Sequence, residues 1–142
     1  MIKKKHRNLF FKKSYTISED NIRKFSEVSG DNNPIHIDDD FAKTTMFGGR
    51  ICHGMLIGSY ISAIIGTEFP GAGTIYLSQT LTFKKPVRIG DTITITVSYV
   101  DNVKKNWIKL ETRVFDQNNE LVIEGYAIVI PPDSFFKLLK EP

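Results

Sequence analysis

Residues 51–66 contain no acidic, lysine or arginine side chain, and apolar residues occupy nearly every helical face between Gly54 and Gly66. A helix that is apolar all round must be covered on most of its sides, so the rest of the chain has to supply a wrapping surface. The segment is interrupted by His53, Gly54, Gly58, Ser59, Ser62 and Gly66, and it falls short of the roughly 18 apolar residues a membrane span requires. A buried core helix is the expectation, with no membrane partner.

The residues that follow can do the covering. Ile75, Leu77, Leu81 and Phe83 alternate with Tyr76, Ser78, Thr80 and Thr82, which predicts a strand over 75–83. Ile93, Ile95, Val97 and Tyr99 alternate with Thr92, Thr94, Thr96 and Ser98 in the same way. Residues 108–115 and 121–130 supply two more strands, joined across the Asn-rich 116–119 as a hairpin. Ahead of the helix, 9–17 reads as a short strand. Ser18 with Glu19 and Asp20 then opens a helix whose apolar stripe is Ile22, Phe25 and Val28 and which Gly30 ends. The sum is an α+β domain in which a curved antiparallel sheet wraps a long central helix.

Charge and cysteine content narrow the function classes. The 142 residues are 41% hydrophobic and 25% charged, as expected of one ordinary globular domain. The division is a basic N-terminal arm with the start of the first strand over 1–13, then a single domain over 14–142. Six of the 19 basic residues fall in that arm with no acid among them, so the remainder is net acidic despite the overall charge of +3. No basic face with interleaved aromatics follows, which argues against a nucleic-acid partner. The arm reads as a solvated tail, or as a contact for an anionic partner such as a phosphate-bearing cofactor. Cys52 is alone, so no intramolecular disulfide can form, and with no secretion signal legible the expected location is cytoplasmic.

The chemistry concentrates between the two helices. Gly30-Asp31-x-Asn33-Pro34-x-His36 sets a carboxylate and an imidazole on one tight turn, an arrangement able to manage a water molecule. Asn33-Pro34 forces the turn, after which the chain is expected to re-emerge extended at His36. Asp38 then caps a short helix through Lys43. Taken alone, the same pair also reads as an Asx turn beside a satisfied histidine. Asp31, His36, Asp38 and His53 are metal-ligating by type, but their spacing matches no closed zinc pattern, and no metal is expected. Cys52 and His53 are adjacent and therefore badly placed to act as a nucleophile and its base.

That loop, an Ala six positions after His36, the helix opening His53-Gly54-Met55, and Phe83-Lys84-Lys85-Pro86-Val87-Arg88-Ile89-Gly90-Asp91 together resemble the MaoC-like, (R)-specific enoyl-CoA hydratases of the hot-dog fold. The likeness runs from Ser14 to Ile130 in the family's order and spacing. It implies a hydro-lyase that adds water reversibly and syn to a trans-2-enoyl thioester, giving an (R)-3-hydroxyacyl thioester. The acyl group would ride on coenzyme A or an acyl-carrier protein. It implies a homodimer, and no cofactor beyond the coenzyme A of the substrate. The family pattern falls on Asp31 and His36 as the catalytic pair and on the Gly54 N–H as the oxyanion hole. Ser62 matches a family serine near that pair, although its hydroxyl could equally bond back to the helix. Ile65, with Tyr60 and Ile61, either lines an acyl pocket or packs the core.

Chemistry fits the pattern. Hydrating a conjugated thioester needs a base for water at C3, an acid for C2, and a donor for the charge growing on the thioester oxygen. Asp31 is the candidate for the water proton, with His36 fixing the water and passing a proton to C2; interacting groups titrate as a pair, so that split stays open. Thioesterases and His/Glu-type acyl-carrier-protein dehydratases of the same fold place a carboxylate on the central helix, and 55–66 has none. The remaining alternatives are a 3-hydroxyacyl-[acyl-carrier-protein] dehydratase using the same loop and a non-catalytic acyl-thioester binding module.

Overall fold

The computed structural model describes residues 9–140, which form β1 (Phe10–Thr16), α1 (Glu19–Ser29), α2 (Pro34–Ile37), α3 (Asp39–Lys43), α4 (Gly54–Thr67), β2 (Ile75–Gln79), β3 (Thr82–Phe83), β4 (Thr92–Lys104), β5 (Trp107–Phe115), β6 (Leu121–Ile130) and α5 (Asp133–Lys140). Most of the basic arm lies outside the described residues. Lys12 and Lys13 lie in β1, opposite Thr96 and Ile95 of β4.

Every strand pairing is antiparallel, in the order β1-β4-β5-β6-β2 with β3 also on β6. Alternation in β4 sets Ile93, Ile95 and Val97 on the inner face, each fully buried, and Leu110, Val114, Ala127 and Val129 of β5 and β6 continue that face. Against it lie Leu56, Ile57, Ile61, Ile64 and Ile65 of α4, none more than 5% exposed. Burying such side chains is worth about 1.5–3 kcal/mol each, which is why α4 folds here without a side-chain cap on its first turn. The result is the hot-dog arrangement of a curved sheet around a central helix.

Four details differ from the sequence expectations. The strand predicted over 75–83 is broken: β2 shifts register between Tyr76 and Ser78, and β3 has only two residues. The break accommodates the Thr80 carbonyl, which sits so close to Gly125 that a Cβ there would lie 1.7 Å from it. The chain after Pro34 is helical for one turn, not extended. Asn33 Oδ1 accepts from Ile35 N at 3.2 Å and Pro34 occupies the first turn, where its fixed φ suits a helix. In α1, Val28 is 83% exposed while Ser26 is buried, because the face turned inward meets a polar ring described below. Residues 131–140, for which no element was expected, add α5, whose Phe135 packs edge-on against Phe69.

Candidate active site

Gly30, in the left-handed conformation at φ 77°, ends α1 and donates its N–H to the Ser26 carbonyl at 2.9 Å. Only glycine takes that backbone without strain, and it turns Asp31 back toward the helix it has just left. Asp31 N donates to Ser29 Oγ (3.1 Å) and Asp31 Oδ1 accepts from Asn33 N (3.2 Å), an Asx turn that leaves Oδ2 available. The helical turn of α2 then brings His36 round. Its Nδ1 lies 2.8 Å from the Ile51 carbonyl. A carbonyl only accepts, so Nδ1 carries the proton and Nε2 is the ring's uncommitted nitrogen.

Arg50 braces this loop. Its Nε donates to the His36 carbonyl (2.7 Å), and its Nη atoms reach both Glu19 carboxylate oxygens at 2.8 and 3.0 Å. That guanidinium, more than any other neighbour, holds the Glu19 carboxyl below its ordinary range.

Asp31, His36 and Gly54 open on one cavity of about 440 Å³, also lined by His53, Met55, Phe83, Lys84, Lys85 and Ile123. Gly54 begins α4, where the first N–H groups have no intrahelical acceptor and the helix end is positive. A Cβ on Gly54 would fall 2.3 Å from Cε1 of Phe83, so the ring lies directly on the glycine. At the rim, Lys84 pairs with Glu124 at 3.1 Å and Lys85 with Glu120. Residues 86–91 hold the far wall: Val87 O accepts from Cys52 N (2.6 Å), and Asp91 Oδ2 accepts from Arg88 N (2.8 Å). The Pro-Val-Arg-Ile-Gly-Asp stretch is therefore a turn that positions the cavity wall.

Ser62 and Ile65, expected near the substrate, do not line this cavity. Eight residues along a helix amount to a rise of ~12 Å and a rotation of about 80° from Gly54, which leaves Ser62 exposed on the outer face of α4. Ile65 is fully buried in the core.

The sequence offered His53 as part of the helix-opening motif, as a metal-ligating type and as a neighbour of Cys52, without a role at the site, and the structure puts it at the centre. Its ring is 1% exposed and stacks on His36 with centroids 3.9 Å apart and planes at 29°. Its Nε2 lies 3.2 Å from the Asp31 carbonyl and 3.1 Å from Ser26 Oγ. Burial pushes its pKa below the ordinary histidine value, against the Asp31 hydrogen bond that favours the cation. Asp31, His36 and His53 each place one potential metal-ligating atom within 4.8 Å of the others, whereas Asp38 caps α3 through Phe41 N at 3.1 Å. The Cys52 thiol donates to the His53 carbonyl (3.3 Å), and burial pushes its pKa up to about 12.

Fold and site together define a hot-dog domain in which the loop bearing Asp31 and His36 shares a cavity with the N-terminus of the central helix. Residues 3–120 match the model of the MaoC like domain, and the chain belongs to that family. It is 48% identical over 118 residues to an (R)-specific enoyl-CoA hydratase of Rhodospirillum rubrum, covering 82% of this chain and 81% of that one. Among solved structures it is similar to the R-hydratase PhaJ1 from Pseudomonas aeruginosa in its unliganded form, with TM-score 0.81 and 43% identity, covering 87% of this chain and 79% of that one. The (R)-hydratase from A. caviae involved in PHA biosynthesis gives TM-score 0.82 and 38% identity over 87% of this chain and 94% of that one. No helix among the described residues is long and apolar enough to cross a membrane.

Proposed function

We propose that the chain is an (R)-specific enoyl-CoA hydratase, a hydro-lyase acting reversibly on trans-2-enoyl thioesters, with Asp31 and His36 as its catalytic pair and Gly54 as the oxyanion donor. The observation that carries the reading is that the three line one cavity, the pair on one loop and the glycine at a helix N-terminus. With Nδ1–H fixed on the Ile51 carbonyl, His36 presents Nε2 and Asp31 its free carboxylate oxygen to a shared water. The pair removes one water proton as oxygen attacks C3. Electron density moves through the double bond onto the thioester oxygen, where the Gly54 N–H and the positive helix end stabilise it. The pair then returns the proton to C2. Because both parts of water come from one side, the addition is syn. One such oxyanion donor contributes about 2.7–4 kcal/mol. The reading needs no cofactor apart from the coenzyme A of the substrate; an acyl-carrier-protein thioester offers the same pantetheine arm.

The working unit in this reading is a homodimer in the cytoplasm. The outer face of α4 exposes Met55, Ser59, Ser62, Ala63 and Gly66, and the edge strand β2 exposes Ile75 and Leu77 at 55% and 40%. A second copy laid against that face would complete the cover that an all-apolar helix requires.

The test is turnover of crotonyl-CoA, followed as loss of the conjugated enoyl absorbance and coupled to an R-specific 3-hydroxyacyl dehydrogenase. Hydration with oxidation of the product by the coupling enzyme is expected. No turnover of any enoyl thioester, or an S product, contradicts the reading.

A further inference from the structure

The buried His53 is used by no step above, yet it touches both members of the pair. Nε2 faces the Asp31 carbonyl oxygen at 3.2 Å, and since that oxygen can only accept, Nε2 carries the proton. Nδ1 is then a lone pair, and it is buried with no hydrogen-bond partner among the described residues. A cation there would bury an unpaired N–H, so the ring is neutral, in agreement with the downward direction of its pKa. One ring face lies on His36, and Phe25 meets the ring at 4.9 Å with planes at 66°. The Ser26 hydroxyl, itself buried, sits 3.1 Å from Nε2. The backbone of His53 also serves as the N-cap of α4, immediately before Gly54.

We propose that His53 is a positioning residue of the hydratase site: its Nε2–H clamps the Asp31 backbone and its ring face sets the plane of His36, so one buried side chain fixes both halves of the pair against the Gly54 helix end. This rests on the functional reading above. A loop whose catalytic carboxylate is otherwise exposed needs such an anchor, because misplacement by about 1 Å can cost on the order of 100-fold in rate. The neutral state follows from the same geometry, since a charged ring would bury an Nδ1–H with no acceptor among the described residues.

The experiment compares His53→Gln, His53→Phe and His53→Ala. Gln can place an amide N–H near the position of Nε2 and keeps the clamp without the ring; Phe keeps the ring without the donor. His53→Ala should lower kcat with crotonyl-CoA by ~10- to 100-fold with KM changed less than about twofold. Each single-feature variant should recover part of that loss. Two-bond proton–nitrogen spectra of the free protein give a second readout: wild type should show His53 as the Nε2–H tautomer and His36 as Nδ1–H, and His53→Ala should mix the His36 tautomers. Wild-type kcat in a folded His53→Ala, or loss of kcat that neither Gln nor Phe restores in folded protein, would overturn the proposal. If no variant folds, the wild-type spectra decide: a proton on Nδ1 of His53 excludes the clamp, and one on Nε2 supports it. Should wild type turn over no enoyl thioester, the functional reading fails, and the His36 tautomer in the variants still decides whether His53 positions that ring.

Discussion

The Gly54 N–H can be deleted with little disturbance of the helix. Proline is well suited to the first position of a helix, where its missing N–H has no intrahelical partner anyway. The residue before a proline prefers extended or polyproline dihedrals, and His53 already has φ −58° and ψ 126°. The obstacle is steric: any Cβ at 54 would lie 2.3, 2.7 and 2.9 Å from Cε1, Cδ1 and Cζ of Phe83, all inside the ~3.5–4 Å carbon contact distance and the first of them by over an ångström. Removing the ring first isolates the donor. In a Phe83→Ala background, Gly54→Ala and Gly54→Pro both add a Cβ, and Pro also removes the N–H. The Gly54→Pro/Phe83→Ala protein should therefore show kcat about 10²- to 10³-fold below Gly54→Ala/Phe83→Ala, corresponding to about 2.7–4 kcal/mol. The assay is initial-rate hydration of crotonyl-CoA, with melting curves to confirm that both double variants are folded. Equal kcat within about threefold in folded proteins would remove Gly54 from the chemistry and leave it as packing against Phe83.

Asp31→Asn and His36→Ala should each abolish most hydration while leaving the melting temperature near that of wild type, because Asp31 is exposed and His36 only half-buried; near-normal rates in either would refute the residue assignment. Arg50→Met should lower stability by about 1–3 kcal/mol, since it removes charge-assisted hydrogen bonds to Glu19 and the His36 carbonyl. Glu19 is held below its ordinary 4.5 by Arg50 first, so its part of that stability is fully present above the ordinary value and lost as pH falls through the lowered one. Denaturation curves of the two proteins should accordingly draw closer in acid, and a gap that widens there would contradict the pairing. Cys52, with its thiol pushed up to about 12, should resist alkylation at pH 8 in native protein and react once unfolded; rapid native labelling would show the core to be open. Ser62→Glu, placed on the exposed face of α4, should shift sedimentation from dimer to monomer, and an unchanged dimer would put the second copy elsewhere.

The elements set by a long, regular pattern were legible in the sequence. Period-2 alternation located β4, β5 and β6, and Ser18 and Gly30 bounded α1 because capping is a local property of the chain. The reading was weaker where tertiary contact overrides local preference. Alternation over 75–83 suggested one strand, yet the Thr80 carbonyl presses on Gly125 and splits it. Val28 fits the apolar stripe of α1 by spacing, but Ser26 takes the inward place because a histidine from residue 53 needs its hydroxyl. At the site, Asp31, His36 and Gly54 could be named from the motif that contains them. His53, Arg50 and Phe83 could not be assigned roles, because each acts across more than ten residues of sequence through a ring face, a backbone carbonyl or a bare Cα. One signal was present: a histidine immediately preceding the helix-opening glycine can cap that helix with its backbone while aiming its ring at the preceding loop.

The central claim is that a single loop delivers both parts of water to one face of the enoyl thioester. Hydration of crotonyl-CoA in D₂O, with the product's relative configuration read by NMR, tests it most directly. The account predicts a single diastereomer with deuterium at C2 and hydroxyl at C3 added to the same face. Anti addition, or an equal mixture at C2 formed during hydration, would mean that the C2 proton does not come from Asp31 and His36.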